Sequence, residues 1–148
     1  DRMIERGKLG RKTGAGWYRY PGGGGKVEDP IVADLAIEES HFAGRERVDY
    51  TSEEIRNRLL LAMINEAADI LHEGIAQSAR EIDLVTVFGY GFPRWRGGLM
   101  HYADSIGACA IVHDLERLAI EDPVAWRRSP VLLDCAKDGT LLSDYLCS

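Results

Sequence analysis

The sequence predicts an all-α fold, a bundle of helices joined by short loops. Three observations predict it. Apolar residues beyond position 50 recur at steps of three and four, the period of a helix that buries one face. Thr51 with Glu54, and Ser78 with Glu81, have the spacing of a capping box, in which each end of the motif satisfies a free backbone N–H of the other. No segment sustains the alternation of a half-buried strand, so little or no sheet is expected.

The elements follow in order. Asp1–Leu9 reads as the end of a helix running into Gly10, without a cap or staple of its own, as in a piece of a longer polypeptide. Gly10–Gly25 is expected to be loop, because Gly10, Gly14 and Gly16 punctuate it and Pro21 precedes four glycines. Trp17, Tyr18 and Tyr20 would anchor that loop on an apolar surface. Asp29 is placed to cap a helix with Pro30 in its first position and Ile31, Leu35 and Phe42 as its stripe. The helix opened by Thr51 is the strongest, with Ile55, Leu59, Leu60, Met63, Ala67, Ile70 and Leu71 inward and Gly74 beyond its end. Within it, Asn65 and Glu66 are expected to hydrogen-bond and fix a neighbouring loop, the alternative being that they face solvent. The helix after Ser78 carries Ile82, Val85 and Phe88. A loop rich in glycine and aromatics, Gly89–Gly98, separates it from a helix holding Leu99, Tyr102, Ala103 and Ile106. Another helix, Ala108 to Ile120, turns Ile111, Val112, Leu115 and Leu118 inward before Pro123. Ser129 and Pro130 start the last, through Leu133 and Ala136 to Gly139.

Composition narrows the function. With 45% hydrophobic and 28% charged residues, 148 residues can close a core. A net charge of -6 disfavours nucleic acid and anionic membranes. The apolar stretches are too short to cross a bilayer. Cys109, Cys135 and Cys147 are odd in number and not spaced as a metal knuckle, which reads as reduced thiols in a cytoplasmic protein. His41, His72, His101 and His113 make no i,i+4 pair, so no metal site is expected. His101 and Asp104 stand at i,i+3 and are placed to touch as a helix-end pair.

Two phosphate motifs fail on inspection. A Walker loop ending at Lys12 needs glycine where Arg11 and Arg6 stand. A dinucleotide fingerprint from Gly89 and Gly91 meets Arg94 where its third glycine belongs, and Phe92-Pro93 blocks the helix start. The chain is therefore not expected to bind NAD by itself, and it offers no catalytic or cofactor-binding residue. The 88–98 loop is the candidate site. Its glycines allow close backbone approach; Tyr90, Phe92, Pro93 and Trp95 form a rigid apolar surface; Arg94 and Arg96 suit carboxylate or phosphate. Two readings stand: a connector whose aromatics plug the core, or a wall of a ligand or subunit interface.

Val87-Phe88-Gly89-Tyr90-Gly91-Phe92-Pro93, Gly97-Gly98 and Asp104-Ser105-Ile106-Gly107 resemble the second helical repeat of multifunctional 3-hydroxyacyl-CoA dehydrogenases. Asn57-Arg58-Leu59-Leu60, Asn65-Glu66-Ala67 and Leu71-His72-Glu73-Gly74-Ile75 are similar to the helix before that loop. Leu9 to Tyr18 is similar to the segment closing the first repeat, and Ser129-Pro130 to Gly139 resembles the family's last helix. Leu99 departs from the pattern, where many relatives have proline.

The resemblance implies a helical fold of the 6-phosphogluconate dehydrogenase C-terminal-like kind. Residues 1–27 would be the end of the preceding repeat plus a linker, and residues 28–148 the helical domain. The parent would oxidise 3-hydroxyacyl-CoA with NAD, with its nucleotide site in a Rossmann domain upstream, and an enoyl-CoA hydratase is a possible fusion partner. Asn57 matches the family's active-site asparagine context, but in the second repeat, where it would be a relic. The fragment would then be an inactive scaffold packing on the upstream domains, with a homodimer as a further option. The competing class is a stand-alone acyl-CoA-binding or interaction module using Arg94, Trp95 and Arg96. A related dehydrogenase acting on a different hydroxy acid is a third.

Overall fold

The computed structural model describes residues 1–145. Cys147 lies outside the described residues. The chain divides into two compact units, Asp1–Asp49 and Tyr50–Ser148. This division by compactness groups the helix after Pro30 with the amino-terminal segment. No helix of the described residues is long and apolar enough to cross a membrane.

The first unit holds α1 (Arg2–Glu5), β1 (Tyr18–Arg19), β2 (Val27–Glu28) and α2 (Pro30–Phe42). Where the sequence predicts only loop, β1 and β2 pair antiparallel, with Tyr18 opposite Glu28 and Arg19 opposite Val27. Two residues per strand are too few to show as alternation, so the hairpin escaped the pattern. The aromatics do not anchor it as expected: Trp17 is 72% exposed, and Tyr20 and Tyr18 lie under Arg11 and Lys26 instead. Asp29 does cap α2, accepting from the Ile31 N–H at 3.2 Å, and its carboxylate also pairs with Lys8. The Lys8 ammonium holds the Asp29 carboxyl below its ordinary range. Of the expected α2 stripe only Leu35 is buried; Ile31 and Phe42 are exposed.

The second unit holds α3 (Ser52–His72), α4 (Ala79–Gly89), α5 (Leu99–Ile106), α6 (Ala108–Ala119) and α7 (Pro130–Asp138). α4 packs on α5, α6 on α7, and α3 touches α5, α6 and α7. Ile64, Leu71, Met100, Ile111, Leu115, Val131 and Leu132 form the fully buried centre.

The capping box of α3 forms. Thr51 Oγ1 accepts from the Glu54 N–H at 3.2 Å, and the Glu54 carboxylate accepts from the Thr51 N–H at 2.7 Å. These bonds hold the Glu54 carboxyl below its ordinary range. Thr51→Ala is expected to lower stability by about 1 kcal/mol, measured by urea denaturation. The second box does not form. Ser78 makes no side-chain cap, and the Glu81 carboxylate reaches one residue further back, to the Gln77 N–H at 2.8 Å.

The buried face of α3 also differs from the expected one. Ile64, Ala67, Ala68 and Leu71 face the core, while Ile55, Leu59 and Met63 are exposed. Leu59 to Ile64 is a continuous apolar run, so helical period alone permits two registers. The register adopted turns Ala67 and Ala68 inward, where small side chains let neighbouring helices approach. On α4, Ile82 and Thr86 are buried, and Val85 and Phe88 are exposed. α5, α6 and α7 stand where the sequence places them, although Leu133 faces partly outward.

Candidate functional site

The α4–α5 loop is built from one residue outward. The Thr86 carbonyl accepts from both Tyr90 N–H, at 3.2 Å, and Phe92 N–H, at 2.9 Å. That double bond turns the chain back across the end of α4. Thr86 Oγ1 donates to the Asp83 carbonyl and accepts from the Leu99 N–H at 3.3 Å. A proline at position 99 has no N–H to give, so the departure from the family pattern is used: Leu99 ties the start of α5 to α4.

Asp83 supports the far side. Its carboxylate accepts from the Met100 N–H at 2.7 Å and the His101 N–H at 3.3 Å, satisfying free donors of α5's first turn. Burial pushes the Asp83 carboxyl up, and those two backbone N–H groups oppose the shift. A carboxylate at a helix start is favourable. Gly98 lies against Asp83 with no room for a side chain.

Between these supports, Arg94–Arg96 make a single 3-10 turn after Pro93. Phe92 packs against the core and meets the Tyr102 ring at 6.1 Å. Tyr90 and Trp95 are 78% and 79% exposed, and Pro93 is exposed beside them. The Arg94 guanidinium sits 5.3 Å from the centre of the Phe88 ring, itself 71% exposed. Arg96 sits between rings, 4.5 Å from Trp95 and 4.2 Å from Tyr102. The loop thus divides: Phe92 plugs the core, while Tyr90, Arg94 and Trp95 face outward. Among the described residues neither cation is in an ion pair; each stacks on an aromatic ring instead, so its charge is available to an anionic or polar partner.

Asn57 is not brought to this loop. It lies in the first turns of α3, on an open groove of about 420 Å³ lined also by Glu54, Arg58, Leu118 and Glu121. None of the 90–98 residues lines that groove. Sequence reasoning missed the neighbour that dominates it. Arg58 grips Glu121 with two bonds, 2.9 and 2.7 Å, and stacks on Tyr50 at 4.5 Å. The fork raises the Arg58 guanidinium and lowers the Glu121 carboxyl relative to their ordinary ranges. Sixty-three residues separate the partners, and no local signal couples them.

The His101–Asp104 pair expected from spacing does not form. Asp104 accepts instead from the Leu142 N–H at 2.7 Å and the Ser143 N–H at 3.2 Å, capping the turn Leu142–Asp144. Backbone N–H groups satisfy a carboxylate at fixed geometry, which a flexible imidazole one turn away does not. Asn65 behaves as expected, whereas its neighbour Glu66 faces solvent. The Asn65 amide donates to the Arg127 carbonyl at 2.8 Å and accepts from the Ser129 N–H at 2.9 Å.

The chain is 38% identical over 136 residues to the peroxisomal bifunctional enzyme of Danio rerio, covering 89% of this chain and 19% of that one. It is 31% identical over 147 residues to the peroxisomal fatty acid beta-oxidation multifunctional protein of Arabidopsis thaliana, covering 96% of this chain and 20% of that one. This chain therefore spans about a fifth of the length of these relatives. The crystal structure of (S)-3-hydroxybutyryl-CoA dehydrogenase from Ralstonia eutropha superposes with a TM-score of 0.56 at 28% identity, covering 84% of this chain and 45% of that one. Both curated relatives are peroxisomal by name, so thiol count alone does not assign this chain to the cytoplasm. The family model for the 3-hydroxyacyl-CoA dehydrogenase C-terminal domain matches residues 55–143, more than half of the chain and most of its second unit, and the chain belongs to that family.

Proposed function

We propose that this chain is the second helical repeat of a multifunctional β-oxidation polypeptide that oxidises 3-hydroxyacyl-CoA to 3-ketoacyl-CoA with NAD. Its own part is that of a scaffold. It packs on the first helical repeat and completes the substrate-side frame, and it does not catalyse alone. The observation that carries this reading is the coincidence of the family match at 55–143 with the self-contained core of α3 to α7.

The described residues do not fit the nucleotide. Their strands are two residues long and form a hairpin, whereas a dinucleotide needs a parallel strand feeding a glycine turn and a helix. NAD would be held upstream. Asn57 supports the same division of labour, since the cation beside it is locked onto Glu121 and the groove lies away from the aromatic loop. The exposed row Ile55, Leu59 and Met63, and the outward Phe88, Tyr90 and Trp95, are apolar surface suited to a neighbouring domain.

Purified alone, the chain is expected to show no turnover of acetoacetyl-CoA with NADH above the enzyme-free rate. Measurable turnover sinks the scaffold reading. The stand-alone module is the second reading, favoured by the stacked cations Arg94 and Arg96. Calorimetry with an acyl-CoA separates the two: micromolar binding abolished by Arg94→Ala with Arg96→Ala supports the module, and absence of heat supports the scaffold.

A further inference from the structure

Two thiols away from the loop share one cavity. Cys109 is the second residue of α6 and is exposed; Cys135 lies in α7 and is buried. Both line a cavity of about 200 Å³, together with Asp104, Gly107 and the turn Gly139–Leu141. Cys109 Sγ stands 3.2 Å from the carbonyl oxygen of Ala136, the residue after Cys135. A side-chain sulfur that near the backbone of the opposite helix marks a close approach of α6 and α7. A disulfide requires such a close approach of the two backbones, with Cα atoms roughly 4–7 Å apart. Cys135 Sγ rests 3.9 Å from the Leu141 carbonyl. Thiols are weak donors, so neither contact holds its sulfur firmly.

We propose that Cys109 and Cys135 are a peroxide-responsive pair, in which Cys109 is oxidised and Cys135 resolves it to an intramolecular disulfide. The oxidant is a hydroperoxide. Cys109 sulfur attacks it, the O–O bond breaks, and the product is a Cys109 sulfenic acid plus water or an alcohol. Cys135 sulfur then attacks that sulfur, the S–O bond breaks, and the hydroxyl leaves as water with the Cys135 proton. Two thiols lose two electrons and the peroxide gains them. The order follows from access. Burial shields the Cys135 sulfur from the oxidant, so it reacts only in the second, intramolecular step. Closing the bond draws Cys135 off the Leu141 carbonyl and loosens the Gly139–Leu141 turn.

The test treats the purified chain with hydrogen peroxide, alkylates the remaining thiols and maps the peptides by mass spectrometry. A Cys109–Cys135 cross-link within one chain is expected as the main product, lost on adding dithiothreitol and retained in Cys147→Ser. Cys135→Ala is expected to leave Cys109 as a sulfenic acid trapped by dimedone. Sulfinic or sulfonic Cys109 without a cross-link in the parent chain overturns the proposal. So does a link to Cys147, or one between two chains. The parent-chain map decides the matter even where Cys135→Ala does not fold.

Discussion

Gly98→Ala is expected to lower the stability of the second unit by about 3 kcal/mol. Gly98 has φ of 125°, a backbone conformation closed to residues with a Cβ. An added Cβ would also stand 2.4 Å from Asp83 Cβ, Cγ and Oδ1. Asp83 cannot step aside, because its carboxylate already holds the Met100 and His101 N–H groups. Either α5 moves off α4 or the cap of α5 is given up. Gly89→Ala is the control, since its Cβ would meet Val85 at an ordinary 3.9 Å. That variant is expected to match or slightly exceed the parent. Urea denaturation checks both, and a Gly98→Ala midpoint equal to the parent's would refute the account of the loop.

Asn65→Ala is expected to lower stability by about 2–3 kcal/mol. The substitution removes a donor to the Arg127 carbonyl and an acceptor for the Ser129 N–H. Ser129 is fully buried, so its N–H would be left without a partner in a place water does not reach, and such a group costs its full desolvation. Asn65→Asp keeps the acceptor but sets a carboxylate against the Arg127 carbonyl, so it is not expected to restore the parent. A loss under about 0.5 kcal/mol for Asn65→Ala, the range of an ordinary surface change, would show that the clamp contributes little.

Local features were legible in the sequence and distant ones were not. The caps at Asp29 and Thr51 could be read because donor and acceptor lie within three residues. Helix limits from α5 to α7 could be read because Gly98, Gly107, Ser129-Pro130 and Gly139 mark them. The inward face of α3 could not, because its apolar run satisfies two registers and only the neighbours choose between them. The 88–98 loop was legible as the object of interest, yet not which rings turn inward. Phe92 packs and Trp95 does not because the Thr86 carbonyl fixes where the chain reverses. Thr86 looked like an ordinary helical residue. The Arg58–Glu121 fork and the Asp83 cap join residues 63 and 17 apart, and nothing in single-sequence spacing reports such pairs.

The Asn65 clamp has a kinetic side. It joins residues 64 apart, so most of the second unit must be gathered before it can close. The entropy of that closure is lost before the bond returns anything. The clamp is expected to close late in folding, after the buried faces of α3 and α7 have met. Once closed, it lies between the first and last helices of the unit. Opening either end breaks the same two bonds, so α3 and α7 come apart together, and the unit behaves as one cooperative block instead of fraying from its termini.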